Sequence, residues 1–187
     1  EGGMVVTNNA QYSEKIRINR LHGISKDVWD RYEKQGSWYY EVVDNGYKYN
    51  MTDINAALGV VQLEKIHKMT DRRRTISEKY DNAFKDVKGI ETLHLKADRK
   101  TSYHLYVIKV DNRDRLISLL NTAGIGVSVH FIPVHYHPYY RDTYQYKKAD
   151  YPVANKVFER SISLPIFPDM TDEEVDCVIK KIVEYVD

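Results

Sequence analysis

The chain has 187 residues, with 28 Lys and Arg against 27 Asp and Glu, one cysteine and sixteen tyrosines. The near-balanced charge leaves no global basic surface to attract a polyanion, which argues against a nucleic-acid partner. A lone cysteine cannot form an internal disulfide, and no apolar run approaches the roughly 18 residues that span a bilayer, so the chain reads as cytoplasmic with no membrane partner.

The sequence opens on Glu1-Gly2-Gly3 and runs straight into Met4-Val5-Val6-Thr7, a short β-type run that reads as a chain joined in mid-fold. Asn8 or Asn9 can cap a helix extending to about Arg20. Residues 21–52 then show no sustained period, and an irregular stretch of that length inside a compact protein points to a functional loop or a docking segment. From Thr52, a plausible N-cap, the positions Ile54, Ala57, Leu58 and Val61 follow helical spacing, widened by Val60, Leu63 and Ile66, which predicts a heavily buried helix to about Lys68. A second helix carries Ile76, Tyr80, Ala83 and Phe84 on one face and ends near Gly89. The junction at Met69-Thr70 is the expected domain boundary, separating 1–68 from 69–187. Within the second helix, Arg72-Arg73-Arg74 reads as solvated charge.

Beyond the boundary come β-type runs at 90–95 and 103–110, a helix from Asn112 to Ala123 stopped by Gly124, and a β run at Val127-Ser128-Val129. That order predicts a small α+β layer with mostly antiparallel pairing. Residues 131–150, rich in Pro, His and Tyr, read as a loop with a turn or two of helix. A helix around Val153–Glu159, a short run at Ile162-Ser163-Leu164-Pro165 and a final helix follow. Thr171 and Glu174 form a capping box for that helix, and Val175, Val178, Ile179, Ile182, Val183 and Val186 form its apolar stripe. Cys177 lies among these residues and reads as a buried, inert thiol.

Two groups of side chains invite a chemical reading. Lys48 and Asn50 alternate with Tyr47 and Tyr49 just before a helix. Taken alone they fit a solvated lysine and a turn asparagine, or a cation and an amide gripping a phosphate. His130, His135 and His137 cluster as zinc ligands can, but their spacing does not suit a helical pair, no cysteine is near and the acids are scattered. Metal is therefore not expected. Substrate contact and simple loop packing both remain open for them.

Four ordered segments then point further. They are Glu1-Gly2-Gly3-Met4-Val5-Val6-Thr7, the run from Gly46-Tyr47-Lys48-Tyr49-Asn50 to Gly59, the run from Gly124-Ile125-Gly126 through His130-Phe131-Ile132-Pro133-Val134-His135 to Tyr140-Arg141, and Leu164-Pro165-Ile166-Phe167-Pro168-Asp169-Met170-Thr171. In this order and at these separations the chain resembles the DegT-type sugar aminotransferases, fold-type I enzymes that use pyridoxal phosphate (PLP). Lys48 and Asn50 are most similar to the branch that includes the UDP-4-amino-4-deoxy-arabinose aminotransferase.

The resemblance implies an α/β protein: 1–68 as the end of the large PLP-binding domain, and 69–187 as a small C-terminal α+β domain with a mostly antiparallel sheet. It implies transfer of an amino group from an amino acid, glutamate foremost, to a keto carbon of a nucleotide-linked sugar, in a homodimer whose active sites are shared. It assigns Lys48 and Asn50 to the cofactor phosphate, His130, His135 and Tyr140 to the substrate, and Gly2 and Gly3 to a tight turn beside the cofactor. The catalytic lysine is expected just upstream of Glu1. The chain itself therefore carries no catalytic residue, and it is expected to be inactive alone and not to retain PLP. Two alternatives stay open: a pyridoxamine-phosphate-dependent sugar 3-dehydratase of the same family, with histidine at the lysine position, and a non-enzymatic partner-binding module.

Overall fold

The computed structural model describes residues 2–25 and 39–186. The chain divides into two compact units, Glu1–Glu64 and Lys65–Asp187.

In the first unit, α1 spans Ala10–Asn19, and the Asn9 side chain caps it by accepting from the backbone N–H groups of Gln11 and Tyr12. Met4–Thr7, expected as a strand, forms no ladder and stays exposed, with Val6 at 87%. An extended run becomes a strand only when a neighbour takes its backbone hydrogen bonds, and no described residue does so here. The irregular reading of 21–52 holds for the described residues, with isolated bridges Leu21↔Lys48 and Ile24↔Val42. Residues 26–38 of that stretch lie outside the described set.

Helix α2 spans Asp53–Phe84. Thr52 accepts from the Asn55 N–H at 3.4 Å, and Asp53 lies in the first turn, where a negative charge suits the helix dipole. The helix runs unbroken through Met69 and Thr70, where the sequence reading separates two helices, because neither residue stops a helix. Its first half departs from expectation in a second way. Ile54, Leu58 and Leu63 are exposed at 77%, 63% and 58%. Helical spacing identifies which residues share a face, not what covers that face.

The second unit holds the core. Strands β1 (Glu91–Thr92), β2 (Tyr106–Lys109) and β3 (Ser161–Leu164) form an antiparallel sheet in the order β1-β2-β3, with Ile108 opposite Ile162 and Tyr106 opposite Leu164. The expected 103–110 strand is shorter because Tyr103 adopts φ +49°, which interrupts the extended backbone. Val127–Val129 contributes a single bridge, Ser128↔Ser163, through reciprocal backbone bonds of 3.1 and 2.8 Å. Helix α3 (Arg113–Thr122) ends before Gly124, which takes φ +78° as a helix stop requires. The 131–150 stretch contains α4 (Pro138–Tyr144) between two single 3-10 turns, and α5 (Pro152–Arg160) leads into β3. In α6 (Asp172–Val186) the expected capping box forms, with Glu174 N–H on Thr171 Oγ1 and Thr171 N–H on Glu174 Oε2.

Ile76, Tyr80 and Phe84 of α2 pack with Ile108, Ile162, Leu116, Leu120, Val175 and Ile182 into one core. Tyr80 is fully buried, and its hydroxyl donates to the Pro165 carbonyl at 2.8 Å. Arg72, read as solvated, bonds the Met170 carbonyl and pairs with Asp172 at 2.9 Å, tying α2 to the start of α6. Cys177, read as buried, is exposed. It stands about 200° around the helix from Val175 and so on the face opposite the buried residues Val175, Val178 and Ile182.

Ile108 is fully buried in the central strand. Ile108→Ala is expected to cost about 2–5 kcal/mol, measured by thermal or denaturant unfolding. Burial pushes the Tyr80 and Tyr106 phenols up, and for Tyr106 the bond to Asp81 adds to the shift. A phenol raised in the folded state stabilises fully below its unfolded value and loses that contribution as pH rises toward the folded value. Stability should therefore fall above about pH 10, with a shallower fall in Tyr80→Phe.

Candidate cofactor and substrate site

Lys48 and Asn50 sit on a backbone clasp. After α1 the chain turns at His22 and Gly23, both with positive φ, and meets the returning 42–49 segment. Tyr47 N–H bonds Asn19 O at 2.7 Å, Tyr49 N–H bonds Arg20 O at 2.8 Å, and His22 N–H bonds Tyr47 O at 2.8 Å. The two strands of the clasp approach so closely that a Cβ on Gly23 would lie 1.9 Å from the Asp44 carbonyl oxygen, and one on Gly46 would lie 2.0 Å from the Gly23 nitrogen. Only glycine fits at either position.

Tyr47 and Tyr49, two residues apart on an extended segment, stack at 5.0 Å with rings 5° from parallel. Lys48, between them in sequence, is exposed and has no carboxylate partner among the described residues. Asn50 is half-buried, and its Oδ1 is fully shielded without a hydrogen-bond partner. Unused hydrogen-bonding capacity of this kind calls for a missing partner. The shielded Asn50 Oδ1 is an acceptor and asks for a donor, whereas a phosphate would be met by the Lys48 ammonium and the Asn50 Nδ2 amide, two donors carried on the braced backbone. Gly2 lies beside them, 2.6 Å from the Met51 methyl if it carried a Cβ.

In the second unit His135 is buried at 7% exposure. Its Nε2 lies 2.8 Å from Asn155 Oδ1, the Asn155 amide donates to the Lys148 carbonyl at 2.6 Å, and Tyr151 stacks on the imidazole at 4.4 Å. Asn155 escaped the sequence reading, since a single polar residue in a short helix gives no signal of its partner. His130 is exposed and lines an apolar cleft of about 740 Å³ with Phe131, Tyr151, Val157 and Phe158. Tyr140 is 42% exposed and contacts Tyr139 edge-on and Tyr144 in a stack. Arg141 is paired with Asp142. Among the described residues no three His, Cys, Asp or Glu side chains converge as metal ligands, and no helix is long and apolar enough to cross a membrane.

A helical unit with a small antiparallel sheet matches a known class. Residues 1–183 match the DegT/DnrJ/EryC1/StrS aminotransferase family, and the chain belongs to it. It is 51% identical over 192 residues to the uncharacterised protein MJ1066 of Methanocaldococcus jannaschii, covering 98% of this chain and 50% of that protein. It is 44% identical over 193 residues to the spore coat polysaccharide biosynthesis protein SpsC of Bacillus subtilis, covering all of this chain and 50% of that one. Among solved structures it superposes on the PMP form of Spr1654 from Streptococcus pneumoniae, described as a candidate sugar aminotransferase, with a TM-score of 0.80 and 33% identity over 96% of this chain and 46% of that one. The Helicobacter pylori aminotransferase PseC, of pseudoaminic acid biosynthesis, gives a TM-score of 0.77 at 25% identity, covering 96% of this chain and 47% of that one. The chain thus spans about half the length of the relatives it matches.

Asn155→Leu removes both bonds that Asn155 makes to the His135 loop. It is expected to lower stability by about 1–3 kcal/mol and to speed amide exchange across 134–151 while leaving 106–109 protected, as hydrogen-exchange mass spectrometry would show.

Proposed function

We propose that the chain is the C-terminal part of a PLP-dependent sugar aminotransferase, which moves an amino group from an amino acid to a keto carbon of a nucleotide-linked sugar for surface polysaccharide or glycan biosynthesis. Glutamate is the donor that the resemblance favours. The observation that carries this reading is the braced Lys48–Asn50 pair, in a chain that matches the aminotransferase family over residues 1–183. The PLP and PMP forms of Spr1654 and the polysaccharide role in the name of SpsC support it.

In this reading residues 1–68 close the large cofactor domain, 69–187 form the small domain, and the soluble homodimer works in the cytoplasm. When bound, PLP supplies the electron sink for amino transfer. Lys48 neutralises phosphate charge through its ammonium, and Asn50 donates from its amide. The clasp and the Tyr47–Tyr49 stack hold both in place, so little side-chain freedom is lost on binding. In the full enzyme they act across the dimer, on the cofactor of the opposite subunit. His130 and Tyr140 contact the substrate, while His135, its Nε2 committed to Asn155, holds the loop that carries them. Lys48 with Asn50 also favours the branch similar to the UDP-4-amino-4-deoxy-arabinose aminotransferase. The catalytic lysine belongs to sequence preceding Glu1, so the 187-residue chain alone has no transaminase activity.

One charge-assisted contact to a phosphate is worth about 1.5–3 kcal/mol. Lys48→Ala in the full-length enzyme is therefore expected to weaken PLP binding about ten- to a hundredfold in an absorbance titration, with the melting temperature of the cofactor-free protein unchanged. Unaltered PLP affinity would remove Lys48 from the site.

A further inference from the structure

Between His135 and Lys148 the chain makes an excursion that carries α4, a helix with no buried residue. His135, at its start, is buried. Both ends of the excursion meet a single side chain of α5. Asn155 Oδ1 lies 2.8 Å from His135 Nε2, and Asn155 Nδ2 donates to the Lys148 carbonyl at 2.6 Å. Glu159, one turn further along α5, pairs with the Lys148 ammonium at 2.9 Å, and Tyr151, just before α5, stacks on the imidazole at 4.4 Å. The Lys148 ammonium also lies 5.0 Å over the Tyr136 ring. The neck of the excursion is thus closed by α5 and its approach, with one amide bonded to both of its sides.

These bonds locate a proton. A backbone carbonyl only accepts, so the Asn155 group facing Lys148 is the NH2 and the group facing His135 is the carbonyl oxygen. That oxygen also only accepts, so His135 Nε2 carries the proton of the bond between them. A carboxylate at this position could serve His135 but not the Lys148 carbonyl, and an alkyl chain could serve neither. We infer that Asn155 is a positioning residue for the sugar half of amino transfer: it holds a proton on His135 Nε2 and closes the neck of the 135–148 lobe, so that Tyr140 is presented to the sugar substrate in one geometry. Asn155 acts through His135 and the lobe. The inference rests on the function proposed above, which places Tyr140 on the substrate, while the proton on Nε2 follows from the two bonds alone. The lobe carries a residue assigned to the substrate and none assigned to the cofactor, so loosening it slows the step that uses the sugar and spares the step that loads the amino group.

The test uses the full-length enzyme and reads the two half-reactions separately by cofactor absorbance, with L-glutamate as the donor probe and UDP-4-keto-arabinose as the sugar probe. In Asn155→Leu the glutamate half-reaction is expected to stay within about twofold of wild type, while the half-saturating concentration of the keto sugar rises about tenfold or more. Asn155→Asp keeps the shape and the acceptor facing His135 and loses only the donor to Lys148. It should give a smaller rise, and it keeps the inference testable if Asn155→Leu disturbs the fold. Nitrogen NMR of histidine-labelled enzyme, with His135 assigned through His135→Gln, should show Nε2 protonated in the wild type. A bare Nε2, an unchanged sugar requirement in both variants, or equal slowing of both half-reactions would overturn the inference. A wild type that converts neither probe would instead overturn the function proposed above, and the role of Asn155 with it. Failure of the inference alone is told apart by a wild type that turns over and variants that match it.

Discussion

The second unit depends on the burial of one phenol. Tyr80 lies at the centre of the core, against Phe84 at 5.8 Å and Tyr106 at 4.9 Å, and it still satisfies its hydroxyl on the Pro165 carbonyl. That bond fixes where the chain leaves β3, and so where the Pro165–Thr171 segment delivers the N-terminus of α6. Arg72 on the same helix bonds the Met170 carbonyl a few residues further on. Two polar contacts from one helix thus set the path between the last strand and the last helix, while apolar burial supplies the bulk of the stabilisation.

Around this core the polar side chains divide by whether the fold uses them. Glu91 spends its carboxylate on Lys109 and Arg160, which hold its carboxyl below the ordinary range, and His135 spends its Nε2 on Asn155. These groups are structural. Lys48 and the shielded Asn50 Oδ1 are left over by the same accounting, and that is where the cofactor phosphate is proposed. The backbone follows a similar division: Gly23 and Gly46 permit a close crossing of two segments, whereas Tyr103 adopts positive φ with a side chain that must bear the strain.

Helices and caps were legible in the sequence because their determinants are local. Asn9, the Thr171–Glu174 box and Gly124 act within one turn, and each does what its position predicts. Strand pairing was legible as mostly antiparallel from the alternation of short β runs with one helix. The Gly46–Asn50 run was legible as part of a family motif, although the backbone clasp that braces it is not a property of those residues alone.

By itself, then, the sequence determined which residues share a helix face, where most helices begin and end, and which family's motifs the chain carries. Only tertiary structure decided what each face meets. The apolar faces of α2 and α6 have the same spacing, yet Ile54 and Leu58 are exposed while Val175 and Ile182 are buried. Pairing likewise kept Met4–Thr7 from becoming a strand and cut Val127–Val129 to one bridge. His135 meets Asn155 twenty positions away, and Asp81 meets Tyr106 across twenty-five. Periodicity is a local property of the chain, whereas burial, pairing and the capture of a polar group require a partner that only the fold brings near.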